Sequence, residues 1–342
     1  MALAGEVRHD VPLGVRERLR RAGHDIVGFD HNPQVSDVAS LEELRDALAA
    51  PRAVWVMVPA GDPTRQTVQA LADLLEPGDV VVDGGNSYYK DDQVNGELLA
   101  AKGIGYVDCG VSGGIWGLDN GYGLMCGGDT QHVERLMPLF DALRPEGPRE
   151  EGFVHAGEVG AGHYAKMVHN GIEYGLMHAY AEGFELLEAK DIVTDVHGCF
   201  KAWTRGTVVR SWLLDLLVKA LEETPHLEGV DEYTPDSGEG RWTVMEAVEN
   251  AVPMPVISAA LFARFASRQE NSPAMQAVSA LRGQFGGHAV AMLGDGSRTG
   301  GHTDEKHDVN HAAERKQDAG PTPAAGGDPT QAGPSSGTGA TS

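Results

Sequence analysis

The sequence predicts an α/β fold: a doubly wound, mostly parallel sheet followed by an all-helical domain. Three observations carry this expectation. Short β-branched runs alternate with amphipathic stretches through the first half. Several of those runs are apolar at every position, as strands covered on both faces are. Beyond Val159 the period becomes helical and stays so.

The elements follow in order. His24–Phe29 reads as a strand, and Leu41–Ala49 as a helix with Ser40 as its N-cap. Ala53–Val58 (AVWVMV) is a strand buried on both sides, and Thr64–Leu75 a helix. Asp79–Val82 is a second buried strand, ending in Asp83-Gly84-Gly85-Asn86-Ser87. Asp91–Lys102 reads as a helix and Ile104–Asp108 as a strand. Apolar strands joined by helical crossovers predict a Rossmann-like, nucleotide-binding sheet over residues 1–158. A long helical pattern then runs from His163 to about Ala189. Gly171, Gly175, Ala179 and Gly183 recur along it at every fourth position, a stripe that lets another backbone approach. Trp212–Leu221, Val244–Ala251, Val256–Arg268 and Pro273–Leu281 continue the helical pattern, giving a second domain over 159–290. Residues 291–342 are rich in Gly, Ala, Pro, Ser, Thr and Asp and read as a disordered tail.

Composition narrows the function. The net charge of −23 over 342 residues argues against nucleic acid and anionic membrane surfaces as partners. A small anion remains open, because a local basic pocket can sit in an acidic body. The three cysteines, Cys109, Cys126 and Cys199, have neither zinc-site spacing nor the density of a disulfide framework, so no metal is expected. Reduced thiols, no signal-peptide core at the N-terminus and no long apolar stretch predict a cytoplasmic, globular protein.

The most informative segment is GHYAKMVHNGIEY, Gly162 to Tyr174. On a helix Lys166, Asn170 and Glu173 share one face, flanked by His169. Spacing alone allows two readings. One is a solvated stripe on a half-exposed helix. The other is a buried lysine and glutamate whose ionisations are moved towards neutrality for acid–base chemistry. Val111-Ser112-Gly113-Gly114 follows a strand ending at Asp108, and can be an anion-binding turn or a plain glycine turn. Asp83–Ser87 lies at a strand's carboxyl end, where open α/β sheets bind ligands. Arg264, Arg282 and His288 are basic points in an acidic chain.

Together the motifs DGGNS, VSGG, AKMVHNGIEY, GEGRWT, FAR and RGQFGGH occur in the order found in the 6-phosphogluconate dehydrogenases, within the wider β-hydroxyacid dehydrogenase family. The chain resembles the compact form of that family from about Gly14 to Val290. The resemblance implies oxidative decarboxylation of 6-phosphogluconate to ribulose 5-phosphate in the pentose phosphate pathway. It implies that Lys166 is the general base at the C3 hydroxyl and that Glu173 is the acid that protonates C1. Asn86, Ser112, Gly113, Gly114, His169 and Asn170 would orient the sugar acid. Tyr174, Arg264, Arg282 and His288 would hold its phosphate end, the last two from a partner subunit, implying a homodimer or homotetramer. Asp30 ends the strand HDIVGFD, where an acid bonds the adenosine ribose and repels a 2′-phosphate. With His31-Asn32-Pro33 following in place of an arginine turn, NAD is expected over NADP. Val58, Pro59, Ala60 and Asn86 would line the rest of the cofactor edge. Two alternatives are a β-hydroxyacid dehydrogenase for another small 3-hydroxy acid and a non-catalytic sugar-phosphate-binding homologue.

One motif departs. The family's Gly-x-Gly-x-x-Gly turn falls at Val7–Pro12, which here reads VRHDVP, preceded by MALAGE, a poor first strand. Those glycines admit pyrophosphate to a helix N-terminus. The sequence as written is therefore expected to bind NAD weakly and turn over weakly or not at all. An altered N-terminus is the other explanation of the same departure.

Overall fold

A computed structural model describes residues 2–5, 10–286 and 290. The tail expected over 291–342 and the phosphate-end candidate His288 lie outside the described residues.

The first part alternates strand and helix: β1 (Ala2–Gly5), α1 (Asp10–Arg21), β2 (Val27–Asp30), α2 (Leu41–Asp46), β3 (Ala53–Met57), α3 (Asp62–Leu74), β4 (Val80–Asp83), α4 (Tyr89–Ala100) and β5 (Gly105–Ser112). There follow α5 (Gly117–Asn120), β6 (Gly123–Gly128), α6 (Thr130–Leu143) and β7 (Phe153–Gly157). The seven strands form one sheet in the order β2-β1-β3-β4-β5-β6-β7. Neighbours from β2 to β5 are parallel, whereas β6 runs antiparallel to β5. The chain reverses there through Gly121, at φ 85°, where a Cβ would strike the backbone of Arg144 and Pro145.

Burial follows the apolar runs. In β3, Val54 and Val56 face one core, with Leu44, Val68, Leu71 and Leu99 from the covering helices. Trp55 and Met57 face the other, with Val15, Leu19, Leu136 and Phe140. A strand apolar on both faces therefore has a helical layer on each, as the sequence predicts.

Two expectations need correction. The first strand forms: Ala2–Gly5 pairs in parallel with β2 and β3 despite its small residues. Central position in the sheet supplies backbone partners on both sides, which weak propensity does not forbid. Ser112 is also not in a turn after the strand, because β5 runs four residues past Asp108 and ends on it. Pairing with β6, which the sequence reading lacked, extends it.

The helical region comprises α7 (Ala161–Glu188), α8 (Val196–Trp203), α9 (Trp212–Glu223), α10 (Glu239–Glu249), α11 (Pro255–Ala266) and α12 (Pro273–Gly286). By packing, the described residues form two compact units. One takes the chain through Tyr180 with Gly229–Ala280; the other takes Ala181–Glu228 with residues from Leu281 onward. In the first, the glycine stripe of α7 admits a neighbouring helix at two positions: the place of a Cβ on Gly171 is 2.8 Å from Thr243 of α10, and on Gly175 3.3 Å from Val256 of α11. Gly183 has nothing within 4 Å. Among the described residues no helix is long and apolar enough to cross a membrane.

Candidate active site

The site is built on the first turns of α7. Their position is fixed from the sheet. Asp108 is fully buried on β5, and its carboxylate accepts the Gly160 N–H at 2.6 Å and the His163 N–H at 2.8 Å. It thereby caps the helix and places a negative charge at its positive end. Two residues along β5, Gly110 leaves room for Lys166: a Cβ on Gly110 would collide with the Lys166 Cβ.

Lys166 is 7 % exposed, and its Nζ makes no hydrogen bond among the described residues. Burial pushes the amine below the usual lysine range, against the opposing pull of Glu173 and Glu239. The solvated-stripe alternative therefore fails at this residue. Glu173 is half-exposed, 3.9 Å from His169 Nδ1, which also lies 3.0 Å from Asn170 Oδ1. One helix face thus carries a desolvated amine, an amide, an imidazole and a wetter carboxyl.

Beneath it lies a buried polar network. His163 Nδ1 is 2.8 Å from Asp92 Oδ2 of α4, and Nε2 donates to the Gly85 carbonyl at 3.1 Å. Asp83 accepts from the Ser87 hydroxyl (2.7 Å) and the Gly85 N–H (3.0 Å), and Tyr106 OH donates to Asp92 at 2.8 Å. Burial pushes Asp92 up, to about 7, against the His163 charge. Burial pushes His163 down, but the carboxylates of Asp92, Asp83 and Asp108 outweigh it and raise the imidazole to about 10. Both ring nitrogens face acceptors, so the shared proton sits on the imidazole. The network ties α7, one turn before Lys166, to the loop that presents Asn86.

Asn86 is exposed after β4; Ser112 is half-buried at the end of β5, with Gly113 half-buried and Gly114 exposed just beyond it. At the expected phosphate end, Tyr174 is buried and its hydroxyl bonds Ser237. The Arg264 guanidinium stacks on the Tyr174 ring, 3.6 Å from its centroid, and donates to the Pro235 carbonyl at 3.0 Å. These two are therefore together, as one cationic wall. Arg282 is exposed on α12, in the other compact unit.

The cofactor edge fits NAD in part. Asp30 ends β2 half-buried, its Oδ1 accepting the Asn32 N–H at 2.7 Å, at the place where a ribose would be held. Val58 and Pro59 are half-buried and Ala60 exposed just after β3. The sequence between β1 and α1 does not fit: there is no glycine between Gly5 and Gly14, and Gly14 packs against the Tyr122 hydroxyl.

Four buried residues escape the sequence reading: Asp92, Asp108, His163 and Glu239. His163 precedes Lys166 by one turn, so helical spacing was a usable signal for it. Asp92 and Asp108 reach the site through pairings distant in the chain, and Glu239 is buried where α10 packs on α7; no local pattern announces either.

A doubly wound sheet with an acid at the end of its second strand, beside a helix carrying a buried lysine, defines a nucleotide-dependent dehydrogenase architecture. The NAD binding domain of 6-phosphogluconate dehydrogenase matches residues 14–145, and the C-terminal domain of 6-phosphogluconate dehydrogenase matches residues 162–304. The chain belongs to the 6-phosphogluconate dehydrogenase family. It is 41% identical over 291 residues to the NAD(+)-dependent, decarboxylating 6-phosphogluconate dehydrogenase of Haloferax volcanii, covering 82% of this chain and 95% of that protein. It is 36% identical over 235 residues to a decarboxylating 6-phosphogluconate dehydrogenase of Bacillus licheniformis, covering 66% of this chain and 50% of that one. The fold is that of Plasmodium falciparum 6-phosphogluconate dehydrogenase (TM-score 0.69, 22% identity, 91% of this chain and 68% of that one). It is also that of a 3-hydroxyisobutyrate dehydrogenase of Mycobacterium tuberculosis (TM-score 0.61, 21% identity, 82% of this chain and 99% of that one).

Proposed function

We propose that the chain catalyses oxidative decarboxylation of 6-phosphogluconate to ribulose 5-phosphate and carbon dioxide with NAD as oxidant. The observation that carries this reading is Lys166: a buried amine, pushed towards neutrality, on one helix face with Asn170 and Glu173. NAD, when bound, supplies the two-electron oxidant at C3. Neutral Lys166 takes the proton of the C3 hydroxyl as the ketone forms. The resulting β-keto acid loses its C1 carboxylate as carbon dioxide, the electron pair passing into the ketone. Protonated Lys166 then hydrogen-bonds the developing enolate oxygen. Glu173 delivers a proton to C1 of the enediol, completing ribulose 5-phosphate. Asn86, Ser112, Gly113, Gly114, His169 and Asn170 orient the sugar acid. Tyr174 and Arg264 face the phosphate, with Arg282 and His288 supplied by a second subunit.

Asp30, Val58, Pro59, Ala60 and Asn86 would hold NAD, and the Asp30 carboxylate favours it over NADP by repelling a 2′-phosphate. We keep 1–158 as the dinucleotide-binding domain and 159–290 as the substrate and dimerisation domain; this is a division by role, whereas the packing boundary falls after Tyr180. A homodimer or homotetramer is supported by α12, where Met275, Leu281 and Phe285 are exposed apolar residues. The buried free thiols Cys109 and Cys126 support a cytoplasmic setting. The test is simultaneous release of NADH and carbon dioxide from 6-phosphogluconate. Oxidation without carbon dioxide would replace this reading with a simple β-hydroxyacid dehydrogenase, and thermal stabilisation by substrate without turnover would replace it with a binding protein.

A further inference from the structure

Gly85 is held at both of its backbone polar groups. Its N–H donates to Asp83 Oδ1 at 3.0 Å, and its carbonyl accepts from His163 Nε2 at 3.1 Å. The other ring nitrogen of His163 donates to Asp92 Oδ2 at 2.8 Å, on the helix that follows the loop. One imidazole therefore braces the middle of the loop against the helix at its far end. The backbone of His163 is fixed as well, because its N–H donates to Asp108 of β5 at 2.8 Å. His163 is 1 % exposed, and Asp83, Asp92 and Asp108 are fully buried. A side chain that only filled this space could be apolar, with apolar partners in place of the carboxylates. An apolar side chain does not donate twice in fixed directions. Both anchored segments lie beside the proposed chemistry. Asn86 is the residue after Gly85, and Lys166 stands one helical turn after His163.

We propose that His163 is a positioning residue that fixes Asn86 relative to Lys166, by holding the Gly85 carbonyl from the helix that bears the lysine. The inference rests on Asn86 and Lys166 serving the proposed reaction. The brace needs a proton on Nε2 while Nδ1 keeps its own towards Asp92. Burial works against the second proton, but the carboxylates of Asp92, Asp83 and Asp108 outweigh it and raise the imidazole to about 10. Tyr106 completes the arrangement: its hydroxyl donates to Asp92 Oδ1 at 2.8 Å, which turns the other oxygen to the ring. A loop released by the imidazole keeps its residues but loses its register on α7. A misplacement of about 1 Å costs about 10²-fold in rate.

The test uses the full chain and two variants that separate positioning from stability. His163→Phe removes both donors and keeps a ring. Asp92→Asn removes the charge of the pair, yet its amide can donate to Nδ1 and accept from Tyr106, leaving the Nε2–H for Gly85. Hydrogen–deuterium exchange by mass spectrometry, without cofactor or substrate, reads the loop. Exchange over residues 84–87 is expected to rise by at least about tenfold in His163→Phe, from the loss of one charge-assisted hydrogen bond. In Asp92→Asn it should stay near that of the parent chain. The kcat/KM for 6-phosphogluconate should follow the loop, falling by about 10²-fold in His163→Phe and little in Asp92→Asn. Unchanged exchange in a folded His163→Phe chain overturns the proposal. So does an equal rise in both variants, which would make the order of the loop a matter of fold stability. Should a variant fail to fold, nitrogen NMR of the parent chain decides. A bare Nε2 on His163 at neutral pH overturns the proposal, and a slowly exchanging proton there upholds it. A loosened loop in a chain without turnover upholds the positioning and removes only the functional reading beneath it.

Discussion

After β4 the chain turns through Gly84 and Gly85 and is held from three sides; the sequence that follows β1 has no glycine before Gly14. Asp83 bonds the Gly85 N–H and the Ser87 hydroxyl, while His163 bonds the Gly85 carbonyl. A Cβ on Gly84 would collide with the Trp55 indole. Between Gly5 and Gly14 the sequence has Glu, Val, Arg, His, Asp, Val, Pro and Leu, a poor lining for a pyrophosphate. Yet β1 still pairs with β2 and β3. Strand pairing here does not require the glycines that seat a pyrophosphate.

The largest expected effect tests that contrast from the substrate side. Lys166→Ala is expected to lower kcat on 6-phosphogluconate by about 10²–10⁴-fold, the usual range for a positioned acid–base group. NAD affinity by calorimetry should stay the same, and a parallel loss of NAD binding would break the contrast. The converse is replacement of residues 6–12 by a turn with three glycines. One regained charge-assisted hydrogen bond of about 1.5–3 kcal/mol corresponds to at least about tenfold in NAD affinity. Thermal stabilisation by 6-phosphogluconate should not change. Micromolar NAD binding by the unaltered chain would remove the contrast from the other side.

How much of this was legible follows the range of the interactions. The strands β3 and β4 and the long helix α7 were readable because each is specified by its own apolar period, as in Val80–Val82. The candidate site residues Lys166, Asn170 and Glu173 were readable because helical spacing alone puts them together. The reversal into β6 was not, since it depends on Gly121 meeting Pro145 across the fold. Glu239 was passed over because its burial comes from α10 packing on α7, and acidic residues are mostly exposed.

Two smaller effects sharpen the picture of the well-held loop. Asp92→Asn breaks the buried pair with His163 and is expected to cost about 3–5 kcal/mol in urea denaturation at neutral pH. The imidazole is raised from 6.5 in the unfolded chain to about 10. Its stabilisation is therefore complete below pH 6.5 and is lost as pH rises through about 10. Asp92, at about 7, has finished titrating over the upper part of that window. The parent chain should lose stability from pH 8 to 10 more steeply than Asp92→Asn, and parallel curves would show that the pair does not hold the proton. The smallest effects lie along α7. Gly183→Ala meets nothing and should gain about 1 kcal/mol from helix propensity. Gly171→Ala presses on Thr243, which two hydrogen bonds fix, and should lose about 1–3 kcal/mol. Equal signs in the two melting curves would mean that the stripe is not a packing surface.

The cap on α7 has a consequence for how the molecule comes together. Asp108 lies 52 residues before Gly160, whose N–H it receives. The helix that bears Lys166 does not contain its own start signal. An isolated peptide spanning Phe153–Glu188 would fray at the end that bears Lys166, with its first donors left to water. In the whole chain β5 is synthesised first, so the anchoring carboxylate is already in place when the helix emerges. A slip of one residue against that anchor would rotate Lys166 by roughly 100° about the helix axis. The sheet therefore acts as an alignment jig for the helix face that bears Lys166.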